Sequence, residues 1–240
     1  MITWLAPGDR SPWFPPVDDA LEDPPGLLAA GGDLSSERLI AAYRRGIFPW
    51  YSAGQPVLWW CPDPRAVLFP AEFRRSRSLG KTERNTDRVV RFDTAFAQVL
   101  TGCAAPRGAD SGTWITPDMR TAYLELHRLG IAHSVEVWQR DRLVGGLYGV
   151  SLGRVFFGES MFSIERDASK MAFSALIRMG LECGLALVDC QLASRHLQSL
   201  GSRTISRGEF SALLAQHAGP DVPTAWVGRS AGRNPAVPRN

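Results

Sequence analysis

Two short apolar runs in the last third of the chain carry the polar side chains best suited to a site. FFGESMFS holds Glu159, and LVDCQ holds Asp189 and Gln191. A carboxylate is expensive to bury without partners, so an acid inside an apolar strand marks either a satisfied structural network or a polar cleft. In a regular strand side chains alternate faces. Asp189 and Gln191 then share one face and Cys190 takes the other, while Phe157, Glu159 and Met161 share a face of their own run. Each acid alone reads most simply as structural; the two runs flanking one capped helix read together as a site.

Other chemistries lack their residues. There is no Walker loop, GxGxxG, HExxH, GxSxG or cysteine–histidine metal spacing, which disfavours phosphate hydrolysis, nicotinamide chemistry and zinc hydrolysis. No metal and no cofactor is expected. Of the four histidines, His127 falls in a helix and His133 opens a strand, both structural readings; His196 follows the Asp189/Gln191 pair closely and is the one to watch. Cys61, Cys103, Cys183 and Cys190 are far apart and form no CxxC, so reduced thiols and a cytoplasmic location are expected. No apolar run is long enough for a membrane span, and MITWLAPGDR lacks the pattern of a signal peptide.

Net charge is +3, too small to demand a polyanionic partner by itself, but its distribution is uneven. Arg74, Arg75, Arg77, Lys81, Arg84, Arg88 and Arg91 crowd one segment, as phosphate contacts would require, although a solvated surface explains them equally well.

The elements that must position these residues are legible from periodicity and punctuation. The first thirty residues, rich in proline, read as irregular, and Gly31-Gly32-Asp33 as a turn. Ser35 or Ser36 caps a short helix that runs through Arg45 and stops at Gly46. Phe48, Trp50, Tyr51, Trp59 and Trp60 crowd a proline-broken stretch: the core of a small N-terminal module, or in part rings that stack on bases. A boundary is placed at Leu68, giving units 1–67 and 68–240. RVVRFD (88–93) reads as a strand with a helix after it, and a loop follows from Cys103 to Gly112. Thr116 caps a helix whose stripe is Met119, Ala122, Tyr123, Leu126 and Leu129. His133–Trp138 and Leu143–Val150 form a hairpin, RVFFGESMFS returns, a helix spans Ala168 to Cys183, and LALVDCQ is the next strand. Short helices near His196 and at Phe210–His217 close the fold, and the tail beyond Gly228 reads as disordered. This order describes an α+β fold with a mixed, largely antiparallel sheet; the regular βα alternation of a doubly wound sheet is missing.

The order of elements is similar to acyltransferases of the GNAT-like fold. Those that use acyl-CoA cradle pyrophosphate on a glycine turn opening a helix. Here the matching stretch, SIERDASK, has no glycine and brings Glu165 and Asp167, which disfavours CoA. GLLAAGGDLSSERLIAAYRRGIFPW, WWCPDPRAVL, GTWIT, HSVEVW, LVGGLYGV, FGESMFS, ASK and DCQ resemble, in order and spacing, the leucyl/phenylalanyl-tRNA–protein transferase family, from about Gly26 to Gly201.

That resemblance implies a GNAT-like catalytic domain after a small N-terminal domain. It implies transfer of Leu, Phe or less often Met from aminoacyl-tRNA to the α-amine of proteins beginning with Arg or Lys, marking them for degradation by the bacterial N-end rule. A monomer is expected. By resemblance Asp189 and Gln191 are the reacting pair, with Glu159 holding the cationic acceptor residue. Trp50, Trp114 and Tyr43 surround the terminal adenosine, and Leu147, Phe173, Leu176 and Val188 line the side-chain pocket. Alternation points Val188 away from Asp189. A glutamine amide is too weakly basic to hold a proton, so its carbonyl is read as accepting a hydrogen bond from the amine while Asp189 orients that amine. Arg74, Arg75, Arg77, Lys81 and Arg84 would grip tRNA phosphates. Two departures stand out: Gly180 where the family often has a bulky aromatic, giving a roomier or differently filled pocket, and Ser194 where asparagine is usual. The alternatives are an acyl-CoA N-acyltransferase and a non-catalytic tRNA-binding protein.

Overall fold

The computed structural model describes residues 2–6, 8, 11–105, 113–222 and 224–226. The tail beyond Gly228 and most of the Cys103–Gly112 loop lie outside those residues. Two sheets organise the rest. The smaller contains β1 (Thr3–Leu5), β2 (Leu27–Gly31), β3 (Phe48–Pro49) and β4 (Leu58–Trp60), in the order β1-β2-β4-β3, with α1 (Ser36–Arg44) between β2 and β3 in the chain. The first thirty residues, read as irregular, therefore contribute two strands. Their prolines fall outside β1 and β2, and Pro15 and Pro16 instead lead into a short 3-10 turn at Val17–Asp19.

The larger sheet contains β5 (Arg65–Leu68), β6 (Arg88–Phe92), β7 (Ala132–Gln139), β8 (Arg142–Leu152), β9 (Val155–Ser163), β10 (Leu187–Gln191) and β11 (Arg203–Ile205). Its order is β11-β5-β10-β9-β8-β7-β6, and only β9 and β10 run parallel. The helices are α2 (Arg77–Arg84), α3 (Phe96–Ala104), α4 (Pro117–Arg128), α5 (Ala168–Cys183), α6 (Arg195–Ser199) and α7 (Arg207–His217). The fold is mixed α+β, with largely antiparallel sheets. No helix of the described residues is long and apolar enough to cross a membrane.

Caps form at Ser35 and Thr116 as expected, each accepting a backbone N–H from the first turn of α1 and α4; left-handed Gly184, which the sequence reading did not single out, ends α5. Two cores result. Tyr43, Trp59, Val99, Tyr123, Phe157 and Leu187 belong to one, shared by the small sheet, α1, α3 and α4. Leu147, Phe156, Phe173, Leu176 and Val188 belong to the other, under α5. Alternation along β9 and β10 sends Phe156 and Val188 one way and Phe157 and Leu187 the other. Position 67 lies inside β5, a strand of the larger sheet. The α4 stripe is narrower than its periodicity implies: Met119, Tyr123 and Leu126 are buried, but Leu129 is 44% exposed because α4 ends there.

Two of the register shifts between strands fall beside the acids. Opposite β8, Tyr148 pairs with Ser160 and Gly149 with Gly158, which leaves Glu159 as an extra residue. Opposite β5, Asp189 pairs with Val67 and Gln191 with Ala66, which leaves Cys190 extra. Both are β-bulges, and a bulge turns the following residue over. Met161 thus packs with Leu147 on the α5 side, whereas Phe157 stays in the opposite core, correcting the expectation that all three β9 residues share a face.

Gly180 on α5 makes room for Leu185. A Cβ there would lie 2.6 Å from Leu185 Cδ2 and 2.9 Å from its Cβ. Gly180→Ala should therefore destabilise the fold by about 1–3 kcal/mol through overpacking. Adding Leu185→Ala should recover part of that loss, with chemical denaturation as the measurement.

Candidate active site

β5 and β10 bring together two charges that lie far apart in the chain. Arg65 Nε donates to Asp189 Oδ1 at 2.8 Å and Nη2 donates to Oδ2 at 2.7 Å. Both side chains are buried, and the guanidinium lies over Phe48 and Phe210, its Cζ 4.9 and 4.7 Å from the ring centroids. Desolvating two charges is costly, and only near-ideal bidentate geometry offsets it. Burial works against the Arg65 charge, but Asp189 outweighs it and holds the guanidinium pKa above its ordinary value. The Asp189 carboxylate is thereby committed to the protein.

Asp189 Oδ1 also accepts the Gln191 backbone N–H, at 3.0 Å. That bond matters because Gln191 stands at φ 55°, in the left-handed region. A non-glycine residue there costs about 1–2 kcal/mol, and one hydrogen bond to a charged acceptor, worth about 1.5–3 kcal/mol, is enough to hold it. The Gln191 Nε2 is buried with no hydrogen-bond partner. An unsatisfied buried donor costs about 1–3 kcal/mol.

Glu159, half-buried on its bulge, meets two tyrosines from separate helices. Tyr43 Oη donates to Oε1 at 2.7 Å and Tyr123 Oη donates to Oε2 at 2.8 Å, and the two hydroxyl oxygens also touch each other. Burial pushes the Glu159 carboxyl up to about 7, against the pull of Tyr43 and Tyr123; Asp189 adds to the rise and Arg65 opposes it. Burial and the adjacent carboxylate likewise hold both tyrosines well above their usual range.

Two cavities meet over these groups. The larger, about 480 Å³, is lined on its apolar side by Leu147, Phe156, Met161, Phe173, Leu176 and Val188. The smaller, about 160 Å³, is lined by Phe48, Pro49, Trp50 and Leu192. Trp114, Glu159, Cys190 and Gln191 border both. The structure thus gathers most of the expected residues, including Val188 and Asp189, which both line the larger cavity, with the Asp189 carboxylate held by Arg65. Tyr43, expected beside the adenosine, is buried and lines neither cavity, because its hydroxyl is taken up by Glu159. Gly180 does not enlarge the larger cavity, since Leu185 fills its space. Ser194 and His196 lie at the rim; Ser194 caps α6, and burial beside Lys170 lowers the His196 pKa.

Against this geometry, family profiles are decisive. The one described as leucyl/phenylalanyl-tRNA protein transferase matches residues 67–215, and its N-terminal domain matches residues 32–63. The chain belongs to the leucyl/phenylalanyl-tRNA–protein transferase family. It is 58% identical over 225 residues to the leucyl/phenylalanyl-tRNA–protein transferase of Stutzerimonas stutzeri, covering 94% of this chain and 98% of that protein. A second, from Pseudomonas aeruginosa PAO1, is 58% identical over 217 residues, 90% of this chain and 95% of that one. Among solved structures, L-PGS from Bacillus licheniformis aligns at TM-score 0.37 and 11% identity, over 67% of this chain and 52% of that one, too distant to carry an argument. As a member of the transferase family the protein is an enzyme, an aminoacyltransferase.

Sequence reasoning missed Arg65 and the hydroxyl of Tyr123. Arg65 carried the same signal as Asp189, a lone charge in an apolar run (RAVLF), and Tyr123 was hidden in a helix stripe. Because the folded protein binds the Glu159 proton more tightly than the unfolded chain, stability contributed here falls as pH rises from 4.5 to about 7. Glu159→Gln removes the titration, so urea unfolding at pH 5 and pH 8 should show a smaller loss than in the wild type, by on the order of 2–3 kcal/mol at most.

Proposed function

We propose that the seam between the cavities is where a protein α-amine attacks the ester of leucyl- or phenylalanyl-tRNA. The observation that carries this reading is that Gln191 and Glu159 border both cavities, with the Gln191 Nε2 unpartnered. The larger cavity, apolar on one side and of a size suited to a small ligand, takes the leucine or phenylalanine side chain against Leu147, Phe173, Leu176 and Val188. The smaller takes the terminal adenosine, with Trp50 and Trp114 as stacking surfaces.

An ester is already activated, and a protein α-amine, with a pKa near 8, is partly neutral at pH 7. The enzyme's task is then to position the amine and stabilise charge as it develops. In this reading the Gln191 carbonyl accepts a hydrogen bond from the amine, its Nε2 donates to the ester carbonyl oxygen as that gains charge, and Asp189 acts through Gln191. The new C–N bond replaces the C–O bond to the terminal ribose, and the ribose oxygen leaves as the hydroxyl of uncharged tRNA, taking up the proton the amine gives. Glu159 holds the cationic side chain of an acceptor beginning with Arg or Lys, which draws the carboxyl back to its charged form. Supporting aminoacyl-tRNA over acyl-CoA, the start of α5 carries Asp167, paired with Lys170 at 3.1 Å, where a pyrophosphate would need bare N–H groups. Met as a further donor, a GNAT-like arrangement, a monomeric cytoplasmic enzyme and a role in N-end-rule degradation belong to the same reading.

Arg74, Arg75, Arg77, Lys81 and Arg84 are exposed on α2 and its lead-in. The segment adjoins the larger cavity through Phe73, whose ring lies 5.9 Å from that of Phe173. In this reading it grips phosphates of the acceptor stem.

Transfer from labelled leucyl-tRNA to an Arg-starting peptide should far exceed transfer to an Ala-starting one, and Gln191→Ala should slow single turnover by roughly 10²-fold. Near-normal rates in both Gln191→Ala and Asp189→Asn would refute the assignment. Neutralising Arg74, Arg75 and Arg77 should lower the log–log salt slope of tRNA binding by about three, one per phosphate contact, while a small aminoacyl-adenosine donor is little affected.

A further inference from the structure

We propose that Arg65 is a positioning residue for aminoacyl transfer, setting where the Gln191 amide stands between the two cavities. The proposal rests on the reading that Gln191 touches the reacting amine. Arg65 lines neither cavity; its influence passes through a chain of contacts. Phe48 from β3 and Phe210 from α7 hold the guanidinium plane. The guanidinium occupies both oxygens of Asp189, at 2.8 and 2.7 Å. Oδ1 in turn accepts the Gln191 N–H at 3.0 Å, across the bulge that leaves Cys190 unmatched against β5.

The last link is what makes the chain functional in kind. At φ 55° Gln191 occupies a backbone conformation that its own side chain disfavours. Released from Asp189, the residue relaxes toward ordinary extended geometry, and in a strand a change of one step carries a side chain to the opposite face. The amide would leave the seam. A lysine at position 65 preserves charge but is a point donor without the planar fork, so it balances Asp189 without fixing the carboxylate's orientation. A purely structural ion pair, by contrast, is replaceable by apolar side chains of similar volume with stability kept or raised.

That contrast supplies the test. Arg65→Lys, the double variant Arg65→Met/Asp189→Leu, and Gln191→Ala are compared with the wild type in single-turnover transfer from leucyl-tRNA to an Arg-starting peptide. Apparent KM for each substrate and thermal midpoint are measured alongside. The double variant should fold with a midpoint near that of the wild type, yet transfer roughly 30- to 100-fold more slowly, with both KM values within about threefold. Arg65→Lys should be slowed by about tenfold, again in rate rather than KM. Wild-type turnover in the double variant overturns the proposal. If that variant does not fold, Arg65→Lys decides: an unchanged rate overturns the proposal, and a loss confined to the rate supports it. A normal rate in Gln191→Ala removes the reading beneath the proposal, whereas slow Gln191→Ala with normal Arg65→Lys removes the positioning role alone.

Discussion

A buried, doubly hydrogen-bonded ion pair between Arg65 and Asp189 is the constraint on which the rest of the site depends. Neither charge is tolerable alone in a protein interior, so the pair requires β5 and β10 to lie side by side in one register. That adjacency attaches the chain leaving the small sheet to the larger one and puts Phe48, from the small sheet, against the guanidinium. The same carboxylate then stabilises a left-handed residue at the end of β10. One interaction thus touches both sheets and the residue that ends β10.

The second constraint is of a different kind. Glu159 is held by two tyrosine hydroxyls, one from α1 and one from α4. One carboxylate is held by a fixed cation, whereas burial pushes the other up to about 7 against the pull of its two tyrosine donors. Like side chains in neighbouring strands thus sit in different environments. Both lie at bulges, where the ladder is interrupted and a side chain is re-aimed.

The transferase family membership and this geometry are complementary. Membership supplies the activity class, while in the proposed reading the geometry gives a carboxylate–amide pair a place in aminolysis of an ester, where placement and charge stabilisation outweigh the need for a strong base. The cavity beneath α5 is closed where Gly180 would otherwise open it, because Leu185 packs into the vacancy. Its shape therefore follows from a pair of residues and not from the glycine read alone.

The sequence by itself determined many of the local elements and which polar residues stand out in apolar strands. Caps at Ser35 and Thr116, the α5 span from Ala168 to Cys183, the hairpin of β7 and β8, and the anomaly of Glu159, Asp189 and Gln191 in apolar strands all follow from short-range rules of pattern and polarity. Those rules act over a turn or two of chain, so they missed β1 and β2, whose pairing is non-local. Only the tertiary structure decided which partner each charge would have. Arg65 lies 124 residues from Asp189, and Tyr43 lies 116 from Glu159. Strand alternation also holds only until a bulge intervenes, and a bulge is set by how two strands register against each other. Tyr123, a stripe residue in one dimension, became a ligand of Glu159 in three because burial of its ring leaves its hydroxyl needing a partner.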